Sequence, residues 1–115
     1  MNELTIIKND QAVTSSLIVA EQFGKEHRHV LESIRSLAAE NSAARLFEES
    51  TYENRGKQYP MYYMNRDGFS LLAMGFTGSK ALSFKLDFIN AFNRMEVELN
   101  SPEKIMARAL RIADT

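Results

Sequence analysis

Between Lys25 and Arg35 the chain gathers Lys25, His27, Arg28, His29, Glu32 and Arg35, side chains whose types and spacing suit the reading of a nucleic-acid duplex. On a helix laid in the major groove, the first two turns reach base edges, which nominates His27, Arg28 and Glu32, with His29 close by. Arg28 is the strongest of these, because its fork can give guanine the bidentate contact that is worth about 1–3 kcal/mol of discrimination. Lys25 and Arg35 suit phosphates instead. His27 lies three residues before Val30, toward the side expected to pack, so a structural histidine bonded at the helix start fits equally well. Glu26 and Glu32 repel phosphate, and Leu31 stands where a reading helix usually presents a polar group. A second set of cations, Arg55, Lys57 and Arg66, could contact the nucleic-acid backbone, and Lys80 and Lys85 could flank an anion near the start of a long helix. The competing reading of each is a solvated surface charge.

Other chemistries lack their residues. Gly75-Phe76-Thr77-Gly78-Ser79-Lys80 has neither the glycine spacing nor the Gly-Lys-Ser/Thr order of a phosphate-binding loop. His27 and His29 are two apart on a helix and cannot share a metal ion. No nucleophile, base and orienting group stand together, and Glu48 and Glu49 alternate across a strand. The expectation is therefore a non-enzyme with no cofactor and no metal.

The elements that must position these residues begin with Ser15 to Leu37. Ser15 and Ser16 are caps, and Leu17, Ala20 and Phe23 follow at helical spacing until Gly24, which can take a left-handed conformation and end the helix. A second helix is expected from about Lys25 to Ala38, with Val30, Ile34 and Leu37 inward. Ala20, Gly24 and Val30 hold the small, turn and apolar places of a helix-turn-helix. Before it, Leu4 to Lys8 and Gln11 to Thr14 read as a hairpin turning at Asn9-Asp10. After it, Leu46 to Met64 alternates aromatics around Arg55-Gly56-Lys57, a second, wing-like hairpin with a basic tip, and Pro60 makes its last strand an edge strand or bulges it there. Asn65 caps a helix to Met74 that turns Phe69, Leu72 and Ala73 inward. Ser79 to Asn100 is the longest helix, expected to bury Leu82, Leu86, Ile89, Phe92, Met95 and Leu99, with Phe88 alongside. A last strip, Ile105, Met106, Ala109 and Ile112, either folds back or meets a partner chain.

The 115 residues suit one domain, here α+β, with residues 1–100 as the folded unit and residues 101–115 as a terminal helix or the start of a linker. With 14 Lys and Arg against 15 Asp and Glu, the net charge of −1 does not advertise a nucleic-acid partner, so any basic face must be local. There is no cysteine, no apolar run near the roughly 20 residues of a membrane span, and no signal-peptide pattern at the start. A cytoplasmic protein without membrane contact is expected.

Specific runs carry more than these patterns. Val19-Ala20-Glu21-Gln22-Phe23-Gly24-Lys25-Glu26-His27, Phe47-Glu48-Glu49-Ser50 with Tyr52, Tyr62-Tyr63-Met64-Asn65-Arg66-Asp67-Gly68-Phe69, Met74-Gly75-Phe76-Thr77-Gly78 and Ala91-Phe92-Asn93-Arg94-Met95-Glu96 resemble the phage regulatory protein Rha family. The resemblance covers about Val13 to Glu96. It implies a phage or prophage regulator in a bacterial host cell, thought to bind DNA and linked to phage growth in hosts lacking integration host factor. Family members often add an antirepressor-type domain after the long helix. Two functions follow as expectations: a regulator that binds double-stranded DNA, with Lys25, Arg28, Arg35, Arg55 and Lys57 on one exposed surface, or an antirepressor-like module that binds a phage or host regulatory protein through an exposed apolar patch. A homodimer is expected, since short helix-turn-helix proteins usually need two half-sites.

Overall fold

Turn chemistry sets the frame of this small α+β domain. The computed structural model describes residues 4–100 together with Pro102 and Met106. Strands β1 (Ile6–Lys8) and β2 (Gln11–Ser15) form the first hairpin, and β3 (Phe47–Asn54) and β4 (Lys57–Met64) the second. Their two-residue turns share one backbone form: Asn9 and Asp10 have φ of 53° and 61°, Arg55 and Gly56 54° and 80°. Positive φ at both central residues matches the twist of the strands, which is why Asn, Asp and Gly stand there. The hairpins join into one antiparallel sheet of order β1-β2-β4-β3. The joint is short, with Thr14 opposite Met64 and Ser15 opposite Tyr63. The strand with Pro60 is therefore an inner strand and not an edge strand as expected, but Pro60, opposite Thr51, lies beyond the short joint to β2, where its missing N–H faces no partner strand.

Between the hairpins run α1 (Ser16–Phe23) and α2 (His27–Ala38), followed by a 3-10 turn, Ala44–Leu46. The Ser15 side chain accepts from the Ile18 amide, which caps α1, and Gly24 ends it at φ 66°, ψ 35°. Lys25 and Glu26 lie outside both helices, Glu26 extended at φ −69°, ψ 135°, so α2 starts two residues later than its pattern suggests. Helix α3 (Arg66–Ala73) is capped by Asn65, whose Oδ1 accepts from the Gly68 amide at 2.9 Å. A Cβ at Gly68 would stand 2.7 Å from the Leu46 carbonyl oxygen, so only glycine lets α3 lie this close to the 3-10 turn. Helix α4 (Ser79–Leu99) then crosses β2, α1 and α3.

The core is a stack of phenylalanines. Phe23 lies 4.7 Å from Phe76, 5.6 Å from Phe84 and 5.7 Å from Phe88 between ring centres, and Phe69 sits 4.5 Å from Phe88. Phe88 and Phe92 are fully buried, each contributing about 1.5–3 kcal/mol. In α1 the inner place expected for Leu17 is taken by Val19, with Leu17 half-buried.

The expected inner stripe of α4 is corrected in part. Phe92 and Leu99 are buried and Met95 is partly buried, but Leu82, Leu86 and Ile89 are 63%, 50% and 42% exposed. The helix carries two apolar faces on roughly opposite sides, and periodicity weighs both alike. The sheet and its helices take the face with Phe88 and Phe92, where small Ala81 and Ala91 let the backbones approach. Of the expected terminal strip, Met106 is exposed, and Ile105, Ala109 and Ile112 lie outside the described residues, as does the rest of the expected terminal helix apart from Pro102.

Candidate nucleic-acid interface

The α1–α2 corner is built from the three residues that its spacing requires. Ala20 is buried where the helices cross, Gly24 turns the chain, and Val30 is fully buried inside the angle. Val30, Leu31 and Ile34 face inward along α2. Leu31 therefore leaves the polar side unbroken: Arg28, His29, Glu32, Ser33, Arg35 and Ser36 are all exposed.

That face is mixed in sign. Arg28 Nε donates to Glu26 Oε2 at 2.8 Å, and both side chains are largely exposed, at 74% and 65%, so solvent and salt weaken the pair. Glu32 follows one turn later. Lys25 Nζ stands 4.8 Å from the Phe76 ring centre, a cation over the edge of the core.

His27 is held differently from its neighbours. Its Nε2 lies 2.8 Å from Ser16 Oγ, and the same oxygen accepts from the Tyr62 amide at 3.0 Å. Ser16 is fully buried and has one proton to give, so the consistent arrangement donates it to a neutral His27. An imidazolium would donate at both nitrogens and leave the serine proton without that acceptor. Burial, followed by the charge of Arg35, holds the His27 pKa below its ordinary value. The imidazole meets Tyr52 edge-on at 5.7 Å, and Tyr52 packs on Tyr59 across the hairpin at 5.6 Å. Strands β3 and β4 are thus bolted to the first turn of α2. Sequence reasoning found His27 but missed Ser16 and Tyr52. The available signal was a second serine at the helix start, beside one that already served as cap.

The remaining nominees separate into two groups. Arg55, at the turn, and Lys57, directly after it, are exposed on this docked hairpin, and Lys80 is exposed near the start of α4. Arg66 and Lys85 are engaged inside the fold. Arg66 bonds Glu96 Oε1 at 2.8 Å and Asn93 Oδ1 at 2.6 Å and lies over Phe92, which ties α3 to α4. Lys85 Nζ donates to the Phe76 carbonyl at 2.7 Å and closes the α3–α4 corner. Among the described residues no group of His, Cys, Asp and Glu could hold a metal ion, and no helix is long and apolar enough to cross a membrane.

Comparison with known proteins adds relatives to this geometry. The family described as phage regulatory protein Rha matches residues 14–97. An uncharacterized protein of Haemophilus influenzae is 37% identical over 101 residues, 84% of this chain and 58% of its own length. An uncharacterized 22.8 kDa protein from the gp15-gp3 intergenic region of Salmonella phage P22 is 34% identical over 102 residues, 84% of this chain and 51% of its own. YoqD of the SPbeta prophage in Bacillus subtilis, named as a candidate antirepressor, is 32% identical over 105 residues, 85% of this chain and 42% of its own. The chain thus spans about half the length of these relatives. No solved structure matches it.

Proposed function

The chain belongs to the phage regulatory protein Rha family, and we propose that it regulates by binding double-stranded DNA in the host cytoplasm, with α2 in the major groove and the β3–β4 hairpin on the adjoining backbone. The observation that supports this reading is the Ser16–His27–Tyr52 junction, which holds the hairpin that carries Arg55 and Lys57 against the first turn of a solvent-facing helix. In this reading Arg28 leaves its weak pair with Glu26 to meet a base edge, and Lys25, Arg35, Arg55 and Lys57 meet phosphates. The exchange is cheap because the Arg28–Glu26 pair is solvated on both sides. His27 keeps its place in the junction and positions the hairpin. His29 and Glu32 border the contact, and Lys80 lies outside it.

Fluorescence anisotropy on mixed duplex DNA at two salt concentrations tests the proposal, since each phosphate contact steepens the loss of affinity with salt. Lys57→Ala should weaken every sequence alike and lower the salt slope by about one. Arg28→Ala should relax base preference by about 1–3 kcal/mol at one position. Absence of binding at low salt overturns the reading. The similarity to YoqD would then favour the second one, an antirepressor-like module whose partner is a phage or host regulatory protein.

A further inference from the structure

Helix α4 presents a second apolar face that none of the described residues covers. Leu82, Leu86 and Ile89 recur one turn apart and Val97 continues the line at 72% exposure. The positions between them and along their edge, Ser79, Ser83, Asn90 and Asn93, are polar but uncharged. Charges return only on the two flanks, where a helix that pairs with another helix carries them. One flank holds Asp87 and Arg94, both exposed and, among the described residues, in no ion pair of this chain. The other holds Lys85 and Glu96, each with one hydrogen bond inside the fold and capacity for another.

The spacing of these charges is self-complementary. Asp87 and Arg94 are equidistant from the midpoint between Asn90 and Ala91, and so are Lys85 and Glu96. A two-fold axis through that midpoint, perpendicular to the helix, keeps each flank facing its own copy. It sets Asp87 against the partner's Arg94 and Lys85 against the partner's Glu96, each contact made twice. The same register seats Leu86 between the levels of the partner's Asn93 and the partner's Val97. A parallel pair would instead set Asp87 beside the partner's Lys85 and Arg94 beside the partner's Glu96, so an exchange of the Asp87 and Arg94 charges separates the two arrangements.

We infer that the outer face of α4 is the interface of a homodimer in which two copies pair this helix antiparallel about the midpoint between Asn90 and Ala91. The inner face of α4 packs on β2, α1 and α3, whereas α2 packs on α1, α3, β4 and the 3-10 turn. Pairing through the outer face therefore leaves α2 uncovered in both copies. The dimer does not rest on DNA binding and is measured without DNA.

Sedimentation equilibrium on the full chain should give the mass of two copies at micromolar concentrations. Leu86→Glu, at a half-exposed position, should give one copy with unchanged far-ultraviolet circular dichroism. Asp87→Arg should weaken the dimer about tenfold, and Asp87→Arg combined with Arg94→Asp should restore it, because the exchanged charges meet again in the antiparallel register. A wild-type chain of single mass, or a dimer that survives Leu86→Glu, overturns the interface. Failure of the double exchange to restore association overturns the antiparallel arrangement.

Discussion

The two hairpins of this domain share a turn and little else. Both reverse through two residues at positive φ, Asn9-Asp10 in the first and Arg55-Gly56 in the second. The first has three paired positions and is pinned down by buried threonines: Thr5 Oγ1 donates to the Ala91 carbonyl at 3.2 Å and Thr14 Oγ1 to the Leu4 carbonyl at 2.6 Å. The second has eight, buries Phe47, Met61 and Met64 at its base, and is exposed on both strands toward the tip. Local residues decide how a chain reverses. Whether the hairpin closes the core or stands out from it depends on how far its strands continue past the last buried side chain.

Removing what the hairpins share should have the largest effect. Met64, 1% exposed, stands opposite both Thr14 and Phe47, so Met64→Ala should cost about 2–5 kcal/mol in urea denaturation and loosen both hairpins together. Protection of one hairpin but not the other in hydrogen exchange would show that the joint is not common to them. Thr14→Val should cost less, about 1–2 kcal/mol, by leaving the Leu4 carbonyl short of a donor, with the change confined to β1 and β2.

Acid should separate the pair in the opposite sense. The folded chain prefers neutral His27, so its folded pKa lies below the ordinary 6.5. The contribution of that ring is complete above 6.5 and is lost as pH falls through 6.5 toward the folded value, since the unfolded chain binds the proton first. Amides of β3 and β4 should exchange faster at pH 5.5 than at 7.5, after correction for intrinsic rates, while those of β1 and β2 hold. Equal loosening of the two would remove His27 as the anchor of the second hairpin.

The sequence made the local devices plain. Ser15, Gly24 and Asn65 cap or end helices because a short oxygen or a missing Cβ suffices, whatever surrounds them. The aromatic alternation of the second hairpin and the Ala20, Gly24 and Val30 corner were legible for the same reason. The orientation of α4 was not. Leu82, Leu86 and Ile89 make as good a stripe as Ala81, Phe88 and Phe92, and only the shape of the cavity left by β2, α1 and α3 decides between them. The Ser16 junction was equally hidden, since a hydroxyl that serves His27 and the Tyr62 amide joins residues 46 apart in sequence.

The Tyr52–His27 contact lies only three residues short of the turn at Arg55, so the spur beyond its last tether is about 10 Å long. An overhang so short is stiff. For a duplex seated on α2 as proposed, it would act as a fixed gauge of groove width, and the partner would have to bend to fit it. Sequences could then be sorted by how readily they deform, at base pairs that no side chain touches.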